Sequence, residues 1–303
     1  MNRRQLLRTL TILPFAGRAM AQTPAPPSLQ VTKLSDSLYL VAGDGGNVGV
    51  LKGADGVMMV DGGLPANAPG LLKQIADSVD SHKVTLLFNT HWHFDHIGCN
   101  ETLGAGGTRI MAHENVKKRL SVKTTMESMN RTFDPLKPEG LPTQEFTRSG
   151  KMTFGKEKVE YVHIPTTHTD GDAYVFFPGP NVLHTGDMFF NGFYPVIDYS
   201  TGGWVGGMAA AARQMAKVGD NKTRIIPGHG PLATKADLKA AGDMLETVHQ
   251  RLMPLVKQGK SVDEVLANSP LKDLDETWGK SLMKPDVFLR SAYTSLLRRE
   301  KKA

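Results

Sequence analysis

His91-Trp92-His93-Phe94-Asp95-His96 sets three imidazoles and a carboxylate within six residues, just after the apolar run Val84 to Phe88. Such a run reads as a buried strand. Polar groups crowded at its end are costly to desolvate unless something compensates them, and a metal ion does so. In an extended segment His91 and His93 point to one side while Asp95 and His96 diverge, so one segment can serve two adjacent ions. Imidazole nitrogen with carboxylate oxygen suits zinc, with iron or manganese also compatible. Six residues cannot fill two coordination shells. Three more donors stand in strand-end or glycine-containing settings: His168 in Thr167-His168-Thr169-Asp170-Gly171-Asp172, Asp187 in His184-Thr185-Gly186-Asp187, and His229 in Pro227-Gly228-His229-Gly230.

Upstream of the histidine run, Leu38 to Val41, Val48 to Leu51 and Val57 to Val60 are short β-rich runs, the last two joined by a turn at Gly53-Ala54-Asp55-Gly56. The glycine-rich loop Gly43-Asp44-Gly45-Gly46-Asn47 is a candidate flap. Residues 67 to 79 read as a helix, and a helix–strand–helix passage follows at about 97 to 103, Arg109 to Ala112 and 114 to 129. Strands are expected at Lys151 to Phe154, Lys158 to Ile164, Ala173 to Phe177, Val182 to His184 and Thr223 to Ile226. Met208, Ala211, Met215 and Val218 lie at helical spacing. From about residue 234 the chain is helical, opened by Thr234 and closed near Pro254; Ser261 to Glu264 is a capping box, and Leu289 to Leu297 marks the last helix. Two groups of strands, each mixed with helices, imply an α/β (α+β) fold of two packed sheets with helices outside.

Composition excludes some classes. Of 303 residues, 40% are hydrophobic and 22% charged, with no apolar stretch long enough to span a bilayer. Residues 1–21 read as an export signal: a basic start, an apolar run from Leu10 to Ala16, and Ala19-Met20-Ala21 as cleavage site. Arg3-Arg4 with Leu6-Leu7 resembles a twin-arginine signal, and a general secretory signal is the alternative. Residues 22–28 form a proline-rich linker, leaving 29–303 as a single domain in the periplasm or outside the cell. Four leader arginines account for four of the +6 formal charges, so the remainder carries +2 and nucleic-acid binding loses its support. A small molecule is the expected partner; oligomeric state is not legible. Cys99 alone cannot form an internal disulfide, and it reads as a small buried residue.

The motifs Val60-Asp61-Gly62-Gly63, the His91 to His96 run, His168, Asp187 and His229 follow one another in the order of the metallo-β-lactamase superfamily, which the chain resembles from about Leu29 to His229. The resemblance implies an αββα four-layer sandwich. It implies that His91, His93 and His168 hold one metal, that Asp95, His96 and His229 hold a second, and that Asp187 bridges two zinc ions. The activity it implies is hydrolysis of an ester, thioester, lactone or amide-type bond, with Asp95 orienting the attacking hydroxide. β-Lactam hydrolysis is an alternative, although lactamases of the superfamily generally carry cysteine or serine where Asp187 stands. A one-iron sulfur-compound oxygenase is another. Asp61 ends a buried strand and can accept a ligand histidine's N–H. Asn191, Phe193 and Tyr194, just after Asp187, are candidate substrate contacts. Trp204 is a weaker one. His113, His163 and His184 read as packing or outer-sphere residues, and His82 and His249 as solvated.

Overall fold

Val57, Met58, Met59 and Val60 are all buried, yet they part to two sides. Met58 and Val60 join Leu86, Phe88, Val175 and Ile226 in one core. Val57 and Met59 join Leu71, Ile75 and Leu87 in another. Successive strand side chains point to opposite faces, so a strand apolar throughout belongs between two layers.

The computed structural model describes residues 29–301 other than Asp44, His82 and Leu282. The expected leader, the linker and His82 therefore lie outside the described residues. In chain order run β1 (Gln30–Lys33), β2 (Leu38–Ala42), β3 (Val48–Gly53), β4 (Gly56–Val60), α1 (Ala68–Val79), β5 (Val84–Phe88), α2 (Asn100–Ala105), β6 (Arg109–His113) and α3 (Glu114–Leu120). Next come β7 (Thr124–Met126), β8 (Arg131–Phe133), β9 (Gln144–Phe146), β10 (Ser149–Phe154), β11 (Glu157–His163), β12 (Ala173–Phe177) and β13 (Val182–His184). The chain closes with α4 (Val205–Met215), β14 (Arg224–Ile226), α5 (Lys235–Lys257), α6 (Val262–Asn268), α7 (Lys272–Trp278) and α8 (Pro285–Glu300).

One sheet has the order β1-β2-β3-β4-β5-β6-β9 and the other β10-β11-β12-β13-β14. The inter-sheet core holds Leu38, Leu51 and Phe88 from the first, with Val159, Phe177 and Val182 from the second. Helix α1 covers the outer face of the first sheet through Leu71, Ile75 and Val79. Helices α4 and α5 cover the second through Ala211, Met215 and Leu238. The αββα sandwich expected from the sequence is thus the architecture found. Beyond it, α5 to α8 share a core with Tyr194, Val205 and Met208.

Local differences have local causes. The helix expected over 114–129 stops at Leu120, and the β7–β8 ribbon follows. Thr124 Oγ1 donates to the Arg119 carbonyl at 2.8 Å, and the β-branched Thr124, Thr125 and Thr132 favour strand. Pro254 does not end α5, which runs on to Lys257. Proline there removes only the bond to the carbonyl of exposed Gln250. Strand β9 and helix α7 were not evident from periodicity. Both are short.

Candidate metal centre

Every predicted donor lies just past the C-terminal end of a strand. Asp61 follows β4, the histidine run follows β5, and His168 follows β11; Asp187 follows β13 and His229 follows β14. Strands β4 and β5 are parallel, as are β13 and β14, so these ends gather along one edge of the sandwich.

Asp187 stands at the centre. Its Oδ2 is 3.7 Å from His91 Nε2 and 3.4 Å from His168 Nε2, and His168 Nε2 is 2.9 Å from His93 Nδ1. Its Oδ1 is 3.0 Å from His96 Nε2 and 3.5 Å from His229 Nε2. Asp95 Oδ2 lies 3.2 Å from His229 Nε2 and 3.9 Å from His96 Nε2. Each of the two sets, His91, His93, His168 with Asp187 and Asp95, His96, His229, draws its donor atoms within 4.8 Å of one another. His91 Nε2 and Asp187 Oδ1 are buried without a hydrogen bond of acceptable geometry. Buried polar atoms without partners are rare. Converging imidazole nitrogens with an orphaned carboxylate oxygen fit a metal centre.

The far side of each imidazole is fixed. His91 Nδ1 meets Thr90 Oγ1 at 3.0 Å, and His168 Nδ1 meets the Val196 carbonyl at 2.8 Å. Asp61, fully buried, meets His96 Nδ1 at 2.8 Å, and it accepts from the Thr90 amide and hydroxyl. Asp198 meets His93 Nε2 at 3.2 Å and is held in turn by Ser200 and Thr201. Such partners set tautomer and ring orientation. Asp198 escaped sequence reasoning, since Val196-Ile197-Asp198-Tyr199 carries no motif. Asp172 was also missed; it ties down the His168 loop by accepting from the His168 and Thr169 amides at 2.7 Å.

Burial opposes charge on His91, His96, His168 and His229, and the neighbours decide the outcome. At His91, burial and His96 hold the pKa well below the imidazole range. Burial lowers His168 too, with His93 adding to it. At His96, Asp187, Asp61 and Asp95 overcome burial and hold the pKa well above the usual value. At His229, Asp187 and Asp95 overcome burial to reach about 9. Burial would raise both carboxylates, but His96 and His229 outweigh it, holding Asp187 well below its ordinary value and Asp95 at about 2.

The family model of the metallo-beta-lactamase superfamily matches residues 41–233, well over half of the chain and every donor above. The chain belongs to that superfamily. Among solved structures it is similar to a metallo-beta-lactamase from Pontibacter korlensis, at 18% identity and TM-score 0.58, covering 72% of this chain and 99% of that one. The sec-alkylsulfatase Pisa1 from Pseudomonas sp. is similar at 15% identity and TM-score 0.67; there 89% of this chain spans only 50% of the relative. The 2,4-dinitroanisole O-demethylase subunit alpha of Nocardioides sp. (strain JS1661) is 20% identical over 249 residues, 78% of this chain and 69% of that protein.

Two corrections to this superfamily member's predicted site follow from contacts. The glycine loop expected as a flap is built in from residue 45 onward, while Asp44 is outside the described residues. Asn47 is buried and donates through Nδ2 to the Pro227 and Gly230 carbonyls, both at 2.9 Å, so it pins the His229 turn. Any side chain at Gly46 would sit 2.2 Å from His96 Cε1, so the loop lies against that ring. Asn191 is absent from the cavity wall and donates to the Pro231 carbonyl at 3.1 Å. Tyr194 lines the cavity, and it is also fully buried, stacked on Phe288 at 4.0 Å with its hydroxyl donating to Asp275, so it packs the helical core as well.

Phe193 does border the cavity over the donors, which measures ≈ 460 Å³ and is otherwise walled mainly by Phe94, Phe190, Met126 and Val196. Met129 and Val287, two exposed apolar side chains, stand on its rim. Of the remaining histidines, His184 holds the Asn47 carbonyl at 3.1 Å, and His113 and His163 stack at 3.6 Å. His249 is half-buried against Trp204 rather than solvated, and Trp204 packs on the helical core. Cys99 is buried against Gly62. No helix among the described residues is long and apolar enough to cross a membrane.

Proposed function

We propose that the chain is an exported two-zinc hydrolase that cleaves an ester-, thioester-, lactone- or amide-type bond in an apolar small molecule. The observation that carries this reading is the division of Asp187, whose two oxygens face two separate nitrogen sets. His91, His93 and His168 would hold one ion, Asp95, His96 and His229 the other, and Asp187 both. When bound, such a pair supplies a water ionised near neutral pH and an electrophile for the group under attack.

The protein's own residues do the rest. Asp61 and Asp198 lock the rings of His96 and His93 so that the donor set needs no rearrangement. Asp95, ionised down to about pH 2 and bordering the cavity, is placed to orient the attacking water. Phe94, Phe190 and Phe193 exclude water and bind an apolar body. The similar O-demethylase and sec-alkylsulfatase are named for an aromatic ether and for secondary alkyl sulfates, in keeping with an apolar body on a C–O bond. A one-iron oxygenase would leave one of the two donor sets without a role.

Elemental analysis combined with a substrate screen tests the proposal. The expected result is two zinc ions per chain and chelator-sensitive turnover of a thioester, a lactone or an aryl ester. One iron per chain, or no chelator-sensitive turnover on these and on a chromogenic β-lactam, overturns it.

A further inference from the structure

Two cavities adjoin the histidine run, and only one reaches the donor atoms. The second, of ≈ 490 Å³, is walled chiefly by Leu64, Ile97, Trp92, Phe133 and Arg131. None of the seven donors borders it; Phe94 is common to both walls. The β7–β8 ribbon, paired to neither sheet, stands between them: Met126 and Met129 border the reaction cavity, Arg131 and Phe133 the second.

Two groups on this wall lack partners. Trp92 is 2% exposed, and its Nε1–H has no acceptor. A buried donor of this kind ordinarily meets water or a ligand. The Arg131 guanidinium lies 4.3 Å from the Phe94 ring centre and 4.8 Å from that of Phe133, and it forms no ion pair with a described residue. The other charged wall residues are already paired, Arg119 with Asp170 at 2.5 Å and Asp134 with Lys123 at 3.0 Å. The charge left over beside aromatic surface is therefore positive.

We infer that this second cavity binds an organic anion with an aromatic or branched apolar body, apart from the reaction cavity. Its volume suits a small molecule. Leu64, Ile97 and Phe133 bury the body, and the anionic head takes a charge-assisted hydrogen bond from Arg131.

Isothermal titration of naphthalene-2-sulfonate into the metal-loaded full chain tests the inference, a sulfonate being a weak metal ligand. One saturable site is expected. Arg131→Gln, at an exposed position, weakens it by about tenfold, as loss of one charged hydrogen bond does. Ala66→Trp, at an exposed alanine on the rim, fills the cavity and abolishes binding. The neutral naphthalene-2-methanol binds at least about tenfold more weakly. Asp187→Ala leaves the affinity unchanged, so the hydrolase proposal can fail while this one holds, and the reverse. Absence of saturable binding, equal binding of the neutral alcohol, affinity unchanged by both wall substitutions, or loss with Asp187→Ala overturns it.

Discussion

The inner donor set, His91, His93 and His168, is shut away from solvent, whereas Asp95 and His229 of the outer set are each 17% exposed beside the cavity. Their electrostatics differ as sharply. Two of the inner imidazoles rest on a neutral oxygen at their far nitrogen, Thr90 Oγ1 or the Val196 carbonyl, and both are pushed toward the neutral form. The outer imidazoles face Asp95, Asp61 and Asp187 and are pulled toward the charged form. An ion entering the inner set would meet His91 and His168 already neutral; one entering the outer set would have to displace protons. The two halves of one centre are therefore expected to load at different pH, the inner first as pH rises.

Asp187 lies between the two sets, and under the proposed bridging role its loss is the largest effect expected. Asp187→Ala should leave no more than one tightly held ion per chain and lower kcat/KM by on the order of 10³, several kcal/mol of lost transition-state stabilisation. Metal content by plasma emission spectroscopy gives the decisive reading. Two tightly bound ions retained in the variant would remove the bridge from the description altogether.

The carboxylates behind the rings come next. Asp61→Asn should weaken only the outer ion and Asp198→Asn only the inner, each by about 10–100-fold in affinity. Competition with a graded series of chelators resolves the two sites. Equal weakening of both sites by either substitution would mean that the centre responds as one unit and that the comparison is false.

These two aspartates were not equally legible. Asp61 ends an apolar run whose burial on both faces was plain from Val57-Met58-Met59-Val60, so a carboxylate there had to face something polar. Asp198 sits 105 residues from His93 in sequence, and no periodicity announces such a contact. The seven donors were readable because metal chemistry restricts residue types at strand ends. The role of Asn191 was not, because proximity to Asp187 in sequence does not say whether a side chain turns to the cavity or away from it. Short elements such as β9 and the β7–β8 ribbon were equally opaque, being fixed by pairing across the fold rather than by a local pattern.

The metal-free protein offers a third way to separate the halves. His229, raised from 6.5 to about 9, contributes stability that is complete below pH 6.5 and is lost as pH climbs through 9. His91 and His168 work in the opposite sense. Their pKa values fall on folding, so the unfolded chain gains protons first as pH drops below 6.5, and the fold weakens on the acid side. Thermal melts of chelated protein from pH 5 to 10 should fall at both ends. His229→Gln should flatten the alkaline limb by on the order of 2 kcal/mol, and His168→Gln the acid limb. An alkaline limb identical in wild type and His229→Gln would show that His229 stores no proton.

The smallest effect expected lies at the cavity wall, which His93 of the inner set shares with Asp95 and His229 of the outer. Phe190 stacks on the His229 ring at 5.1 Å, and Phe193 packs edge-on to Phe190 at 5.7 Å. Both rings border the cavity, yet only one touches a donor. Phe190→Ala removes a support of His229 and should lower kcat. Phe193→Ala removes apolar contact surface worth about 1 kcal/mol for a half-buried ring, raising KM roughly fivefold with kcat unchanged. The split matters more than either value. If both substitutions changed KM alone, Phe190 would be ordinary wall and His229 would owe its position entirely to the turn that Asn47 pins.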